Sequence, residues 1–163
     1  MAREREFEDR EVIGWREWVA LPEFGVSSIK AKVDTGARTS SLHAYDVEEF
    51  VRGRKRWVRF TVHPEQRDVS ETIRVTAPLK EHRRVRSSTG HTERRPVVWT
   101  TVEILGDRFE IEITLTNRDV MGFRMLLGRQ AIRGRFVVDP GRSFLNGRRV
   151  KGGRKIRKRK KDT

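Results

Sequence analysis

Cysteine is missing from this chain of 163 residues, so neither a disulfide framework nor a thiolate metal site is available to it. Long hydrophobic runs are missing as well. No apolar stretch approaches the roughly 18 residues that a membrane-spanning helix needs. Residues 1–10 are charged and lack the apolar stretch of a signal peptide. The expectation is a soluble, cytoplasmic protein with no membrane partner. Metal signatures are equally scarce. There is no His-Glu-x-x-His, and His43, His63, His82 and His91 stand 20, 19 and 9 residues apart, which suits neither a helix face nor a hairpin. No Gly-x-x-x-x-Gly-Lys-Ser/Thr loop is present to cradle a nucleotide phosphate. We therefore expect no metal and no cofactor, with the histidines at the surface or the core edge.

What the chain has in quantity is charge, at 37% of residues against 35% hydrophobic. The apolar residues cluster, as in a small core with a solvated extension. The length suits one domain with a real core. The net charge of +14 is placed unevenly, for residues 148–163 hold ten Lys or Arg and one Asp and so supply +9 of it. A block of this kind is a solvated extension that binds polyanions loosely. The expected organisation is a charged segment at 1–10, one folded domain over 11–147 and a basic disordered tail over 148–163.

The apolar residues recur in short alternating runs bounded by turn residues. Strands are expected over 11–18 and Ile29–Val33, with a turn near Leu21–Gly25 between them. Further strands are expected over 40–47, Arg56–Val62, 73–77, 97–105 and 109–115, the last two joined by a turn at Gly106-Asp107-Arg108. Val85–Glu93 is small and polar, as at a hairpin tip. Met125–Ile132 reads as strand, glycine and short helix, and Phe136-Val137-Val138 as a closing strand. The sum is an all-β barrel or sandwich. Trp15, Trp18, Trp57 and Trp99 lie in or beside these runs and are expected in the core.

Asp34-Thr35-Gly36-Ala37 ends the Ile29–Val33 run. A carboxylate at a strand end can activate water, a following hydroxyl can fix the loop, and glycine admits a second backbone at close range. Only one such tetrapeptide occurs, so a partner carboxylate would have to come from elsewhere, most simply from a second copy. Downstream come the hairpin tip around Ser87–His91, paired strands, and Leu126-Leu127-Gly128-Arg129.

In that order the chain resembles the retropepsin-like aspartic peptidases. More closely it resembles the bacterial family called putative ATP-dependent zinc proteases, which is associated with a ribosomal-protein glutamate ligase. The matching segments are Ile13-Gly14-Trp15-Arg16-Glu17, Lys30 to Ser40, Arg84-Val85-Arg86-Ser87-Ser88, Leu115-Thr116-Asn117-Arg118-Asp119 and Met121 to Arg129. They span about residues 11–145; the basic tail lies outside.

The resemblance implies a closed β-barrel with one short helix after Leu-Leu-Gly-Arg, and a homodimer whose two Asp34 residues meet on the two-fold axis. Like charges about 3 Å apart share a proton; one carboxylate then takes a proton from water while the other polarises the scissile carbonyl. Asp34, Thr35 and Gly36 would form the catalytic loop. Ala37, Arg38, Arg86, Ser87, Ser88, Gly90 and His91 would contact substrate, the last five on a flap. Leu127, Gly128 and Arg129 would support the loop.

Arg38 departs from the common pattern, in which an Asp follows the half-site. A cation there suits an acidic substrate, with Arg38 and Arg86 binding its carboxylates; the alternative is that Arg38 pairs with a structural carboxylate. The implied activity is an aspartic endopeptidase acting on glutamate-rich tails, such as those of a glutamylated ribosomal protein. Two rival functions stand beside it. One is a non-catalytic binding module on the same scaffold. The other is a ribosome- or RNA-associated protein working through residues 148–163.

Overall fold

The computed structural model describes residues 9–65, 71–87, 89–118 and 122–147. The tail at 148–163 and the first eight residues therefore lie outside the described residues, as do Ser88, Asp119 and Met121. Twelve strands and one short helix are formed among the described residues. Strands β1 (Glu11–Gly14), β2 (Arg16–Leu21), β3 (Val26–Asp34) and β4 (Ser40–His43) come first, with a 3-10 turn at Pro22–Phe24. Then follow β5 (Tyr45–Arg52), β6 (Lys55–Val62), β7 (Ile73–Pro78) and β8 (Glu81–Arg86). The chain ends with β9 (Thr92–Ile104), β10 (Asp107–Thr116), β11 (Met125–Gly128), helix α1 (Arg129–Ile132) and β12 (Phe136–Asp139). No helix among the described residues is long and apolar enough to cross a membrane.

Alternation explains why these segments are strands and which face each buries. In β2 every second residue, Glu17, Val19 and Leu21, is fully buried, while the residues between them are half-buried, the signature of a pleated surface against a core. The sheet runs β10-β4-β11-β3-β2-β9, and β9 pairs back onto β10, so the strands close into a barrel. Its interior is aliphatic, built around Ile29, Leu42, Ile113 and Leu127. The strand β8 extends from β9 as the outer arm of a hairpin, and β5-β6-β7 form a separate three-stranded sheet.

Five expectations need correction. The run at 40–47 is two strands. The chain turns at buried Ala44, whose N–H donates to Thr116 O at 2.8 Å, and Asp46 adopts φ 49°. The second of these strands, β5, is exposed over most of its length; it carries no apolar alternation and depends on pairing with β6. Similarly, β8 reads as polar sequence but is a full strand paired with β9 from Glu81–Val97 to Arg86–Thr92, which confines the hairpin tip to Ser87–His91. The β9–β10 turn is Leu105-Gly106, both at positive φ (53° and 80°), the I′-like geometry that matches strand twist.

The tryptophans are the fourth. Trp15, Trp18 and Trp57 are only half-buried, and Trp99 is 46% exposed. Cationic side chains cover three of the rings: Arg16 over Trp15 at 4.6 Å, Lys55 over Trp57 at 5.5 Å and Lys80 over Trp99 at 4.6 Å. Lying under a cation, a large indole gains stability at the surface without entering the core. His43 also departs from its expected edge position. It is 5% exposed, with Nδ1 2.8 Å from Arg124 Nη1.

Beyond β12 the chain folds back over β1 and β2. Trp15 N–H donates to Arg142 O at 2.9 Å and Phe144 N–H to Arg16 O at 3.0 Å. Glu17 fastens this segment: its Oε2 accepts from Gly14 N–H at 2.7 Å and Leu145 N–H at 3.1 Å, and its Oε1 from Asn146 N–H at 2.8 Å. Asn146 Oδ1 in turn accepts from Leu105 N–H at 2.6 Å. A buried carboxylate thus satisfies backbone donors from two ends of the chain. Gly14 is required here, since a Cβ would stand 2.3 Å from Arg142 O.

Candidate functional site

Asp34 closes β3, where parallel pairing sets it beside Gly128 of β11, with Val33 beside Leu127. Two aliphatic strand ends therefore bring the two loops together. Asp34 Oδ1 accepts from Gly36 N–H at 3.0 Å and Ala37 N–H at 3.2 Å, and Ala37 N–H also reaches Asp34 O at 3.3 Å. The side chain thereby folds its own loop into a tight turn. Asp34 is half-buried, while Thr35, Gly36 and Arg38 are exposed.

The Leu-Leu-Gly-Arg segment braces this loop from beneath. Arg129 N–H donates to Ala37 O at 2.7 Å, Gln130 N–H to Arg38 O at 3.1 Å, and Arg129 Nη1 to Thr35 O at 3.0 Å. Gly128 N–H donates to Ser40 Oγ at 3.0 Å. Only glycine fits at 128, because a Cβ would lie 2.6 Å from Thr39 C and 2.8 Å from Ser40 N. Of the residues expected to support the loop, Leu127 pairs beside Val33, Gly128 packs against Thr39 and Ser40, and Arg129 bonds to Thr35 and Ala37.

Beside the loop lies a cavity of about 320 Å³ lined in part by Arg38, Thr39, Arg83, Trp99, Glu112 and Gln130. Arg83 is its centre of charge. Arg83 Nη1 donates to Thr39 Oγ1 at 3.2 Å, while Nη2 pairs with Glu81 and lies 2.6 Å from Glu112 Oε2. Lys80 Nζ completes the group, 2.9 Å from Glu112 Oε1. Burial works to raise the Glu112 carboxyl, but Lys80 and Arg83 outweigh it and hold the group below its usual 4.5. Burial opposes the charge of Arg83 as well, and Glu81 and Glu112 overcome it, raising its pKa.

Of the residues expected to contact substrate, Ala37 belongs to the Asp34 loop and Arg38 lines the cavity. No carboxylate among the described residues pairs with Arg38. Arg86, Ser87, Gly90 and His91 share the hairpin tip, closed by Ser87 N–H to His91 O at 2.8 Å and Gly90 N–H to Ser87 O at 2.9 Å. Among the described residues they make no hydrogen bond to the Asp34 loop; the hairpin reaches that loop through Arg83. Sequence reasoning missed Arg83 because β8 was not recognised as a strand. Once it is, Glu81 and Arg83 fall two apart on one face. No group of three or more His, Cys, Asp or Glu able to hold a metal ion occurs among the described residues.

Residues 12–149 match the family described as "RimB-like: Retropepsin-like aspartic endopeptidase RimB". A protein of Parasynechococcus marenigrum named probable alpha-L-glutamate ligase is 50% identical over 129 residues, 79% of this chain and 28% of that protein. One of the same name from Shewanella pealeana is 45% identical over 136 residues, 83% of this chain and 30% of that protein. The chain thus spans less than a third of these curated relatives. A crystal structure of a Legionella pneumophila protein of unknown function superposes with a TM-score of 0.69 at 27% identity, covering 83% of this chain and 98% of that one. A barrel closed by β9 and β10, an Asp-Thr-Gly-Ala loop braced by Leu-Leu-Gly-Arg and a match over most of its length agree: the chain belongs to the RimB-like, retropepsin-like family.

Proposed function

We propose that this protein is an aspartic endopeptidase that hydrolyses peptide bonds in acidic, glutamate-rich protein tails, working as a homodimer with Asp34 of each copy in one dyad. The observation that carries this reading is the half-buried Asp34, whose Oδ1 takes the N–H groups of Gly36 and Ala37. That arrangement fixes the carboxylate in a solvent-accessible loop. Two such groups brought together would share one proton. The ionised member takes a proton from water, and the water attacks the carbonyl carbon; the protonated member donates to the carbonyl oxygen. Collapse of the tetrahedral intermediate passes a proton to the leaving amine.

Arg38 on the cavity wall favours carboxylate side chains beside the scissile bond. The name of the curated relatives, probable alpha-L-glutamate ligase, supports glutamate as the residue handled: a hydrolase would reverse what such a ligase adds. The decisive assay compares wild type with Asp34→Asn on a protein bearing a glutamate extension, read by intact mass. Wild type should shorten the tail and Asp34→Asn should not. Equal inertness of both proteins would favour a binding module instead. In the same assay Arg38→Glu should lower kcat/KM for acidic peptides about tenfold, or 1.4 kcal/mol. Undiminished cleavage of acidic peptides would remove Arg38 from substrate recognition.

A further inference from the structure

The β8–β9 hairpin carries arginines on both faces, and only one face is neutralised. Arg83 lies directly opposite Arg95, and Arg84 directly opposite Arg94. On the face that borders the Asp34 cavity, Arg83 pairs with Glu81 and Glu112, and Arg95 Nε lies 3.2 Å from Glu93 Oε2. Arg84, Arg86 and Arg94 point the other way and are exposed. None of the three meets a carboxylate among the described residues. Like charges directly opposite in an antiparallel pair are destabilising. The Arg84–Arg94 pair therefore strains the hairpin, with no compensating ion pair among the described residues.

This outer face borders a groove of about 320 Å³ lined by Glu49, Phe50, Val51, Arg56, His82 and Arg94. Arg56 is exposed and likewise has no carboxylate partner among the described residues. The groove's own carboxylate is engaged, with Glu49 Oε1 2.7 Å from His82 Nε2. Val51, 67% exposed, provides an apolar floor, and β5, which bears it, is an edge strand of its sheet. The Phe50 ring lies against Arg59 at 4.7 Å and Arg52 at 5.5 Å, which leaves it poorly placed to stack a base. Guanidiniums around an apolar floor beside a strand edge fit an extended peptide rich in carboxylates.

We infer that the outer face of the hairpin, with Arg84, Arg94 and Arg56, is an exosite for acidic polypeptide, separate from the cavity beside Asp34. It would hold part of a long acidic chain while another part is presented to the half-site. The inference deepens the glutamate-tail reading and rests on it for its purpose; its test does not require cleavage.

The full chain carrying Asp34→Asn is titrated against a labelled oligoglutamate peptide, with and without the double substitution Arg84→Glu, Arg94→Glu. The dissociation constant should rise about tenfold or more, while the thermal midpoint stays close to the parent's because one like-charged pair replaces another. Arg56→Gln with Arg94→Gln adds no new charge and should weaken binding about threefold. Affinities within about twofold of the parent in both variants would overturn the exosite. A single-stranded RNA that binds the parent more tightly than the peptide, and loses as much in the variants, would overturn its assignment to acidic polypeptide. In the chain with Asp34 intact, the charge-reversed variant should raise KM for a long glutamate tail and leave a short acidic peptide unaffected. Absence of cleavage in every version counts against the peptidase reading alone, and the binding comparison still decides the exosite.

Discussion

Glu17 and Asp34 are carboxylates that each accept backbone N–H groups, yet their surroundings differ completely. Glu17 is fully buried, with both oxygens enclosed by three main-chain donors from Gly14, Leu145 and Asn146. Asp34 is half-buried, and its two backbone bonds fall on the same oxygen, Oδ1. A carboxylate spent on the chain's own N–H groups from both sides is a fastener. One held by a single oxygen in an exposed loop keeps the other for water or for a second carboxylate. Both residues stand in short polar motifs beside apolar strands, so residue type alone does not separate them; enclosure does.

The largest way to break this comparison is Glu17→Ala. Three N–H groups, those of Gly14 and Asn146 buried and that of Leu145 partly so, would lose their acceptor, and each such loss costs about 1–3 kcal/mol. We expect at least about 3 kcal/mol of destabilisation in denaturant unfolding, whereas Asp34→Asn, whose amide oxygen still accepts from the loop, should unfold within about 0.5 kcal/mol of wild type. Similar losses for the two would erase the distinction between fastener and reactive group.

Gly128→Ala should come next. Its methyl would meet the Thr39–Ser40 backbone below 3 Å, pushing β4 away from β11 at a typical overpacking cost of about 1–3 kcal/mol. Because the same glycine pairs beside Asp34, the proposed peptidase activity should fall by more than stability does. A variant that unfolds less readily than wild type would contradict the close approach.

The smallest effect is expected at Glu112, which ties the hairpin to the barrel wall through Lys80 and Arg83. Its carboxyl is held below 4.5 in the folded chain, so its stabilisation is present above that value and is lost as pH falls through the lower, folded one. Glu112→Gln should cost up to about 1 kcal/mol at neutral pH, and the gap from wild type should close under acid. A gap that is constant from pH 7 to strongly acid would show that the ion pairs contribute nothing.

How much was legible depended on period. The segments with clean alternation, such as Trp57-Val58-Arg59-Phe60 and Ile111 to Leu115, are strands in the structure, as is Met125–Gly128 before its helix. Strands β5 and β8 were not legible, since both are exposed and charged, and hairpin pairing rather than burial makes them strands. Missing β8 meant missing Arg83, the residue that joins the hairpin to the Asp34 loop. The tryptophans misled for a different reason: hydrophobicity alone assigns such rings to the core, whereas a cation over the ring, from a sequence neighbour at Trp15 and Trp57 and from Lys80 at Trp99, suits them to the surface.

The sequence by itself determined the all-β class and the Asp34 loop, because strand period and a strand-ending motif are local properties; the Leu-Leu-Gly-Arg brace was implied by the family resemblance. Tertiary structure alone decided which carboxylates are enclosed and which arginines are neutralised. Glu17 is enclosed by residues more than 100 positions away, as with Asn146 at 2.8 Å, and Arg83 is neutralised in part by Glu112 of another strand; no strand period encodes such contacts. Burial and pairing are properties of the closed barrel.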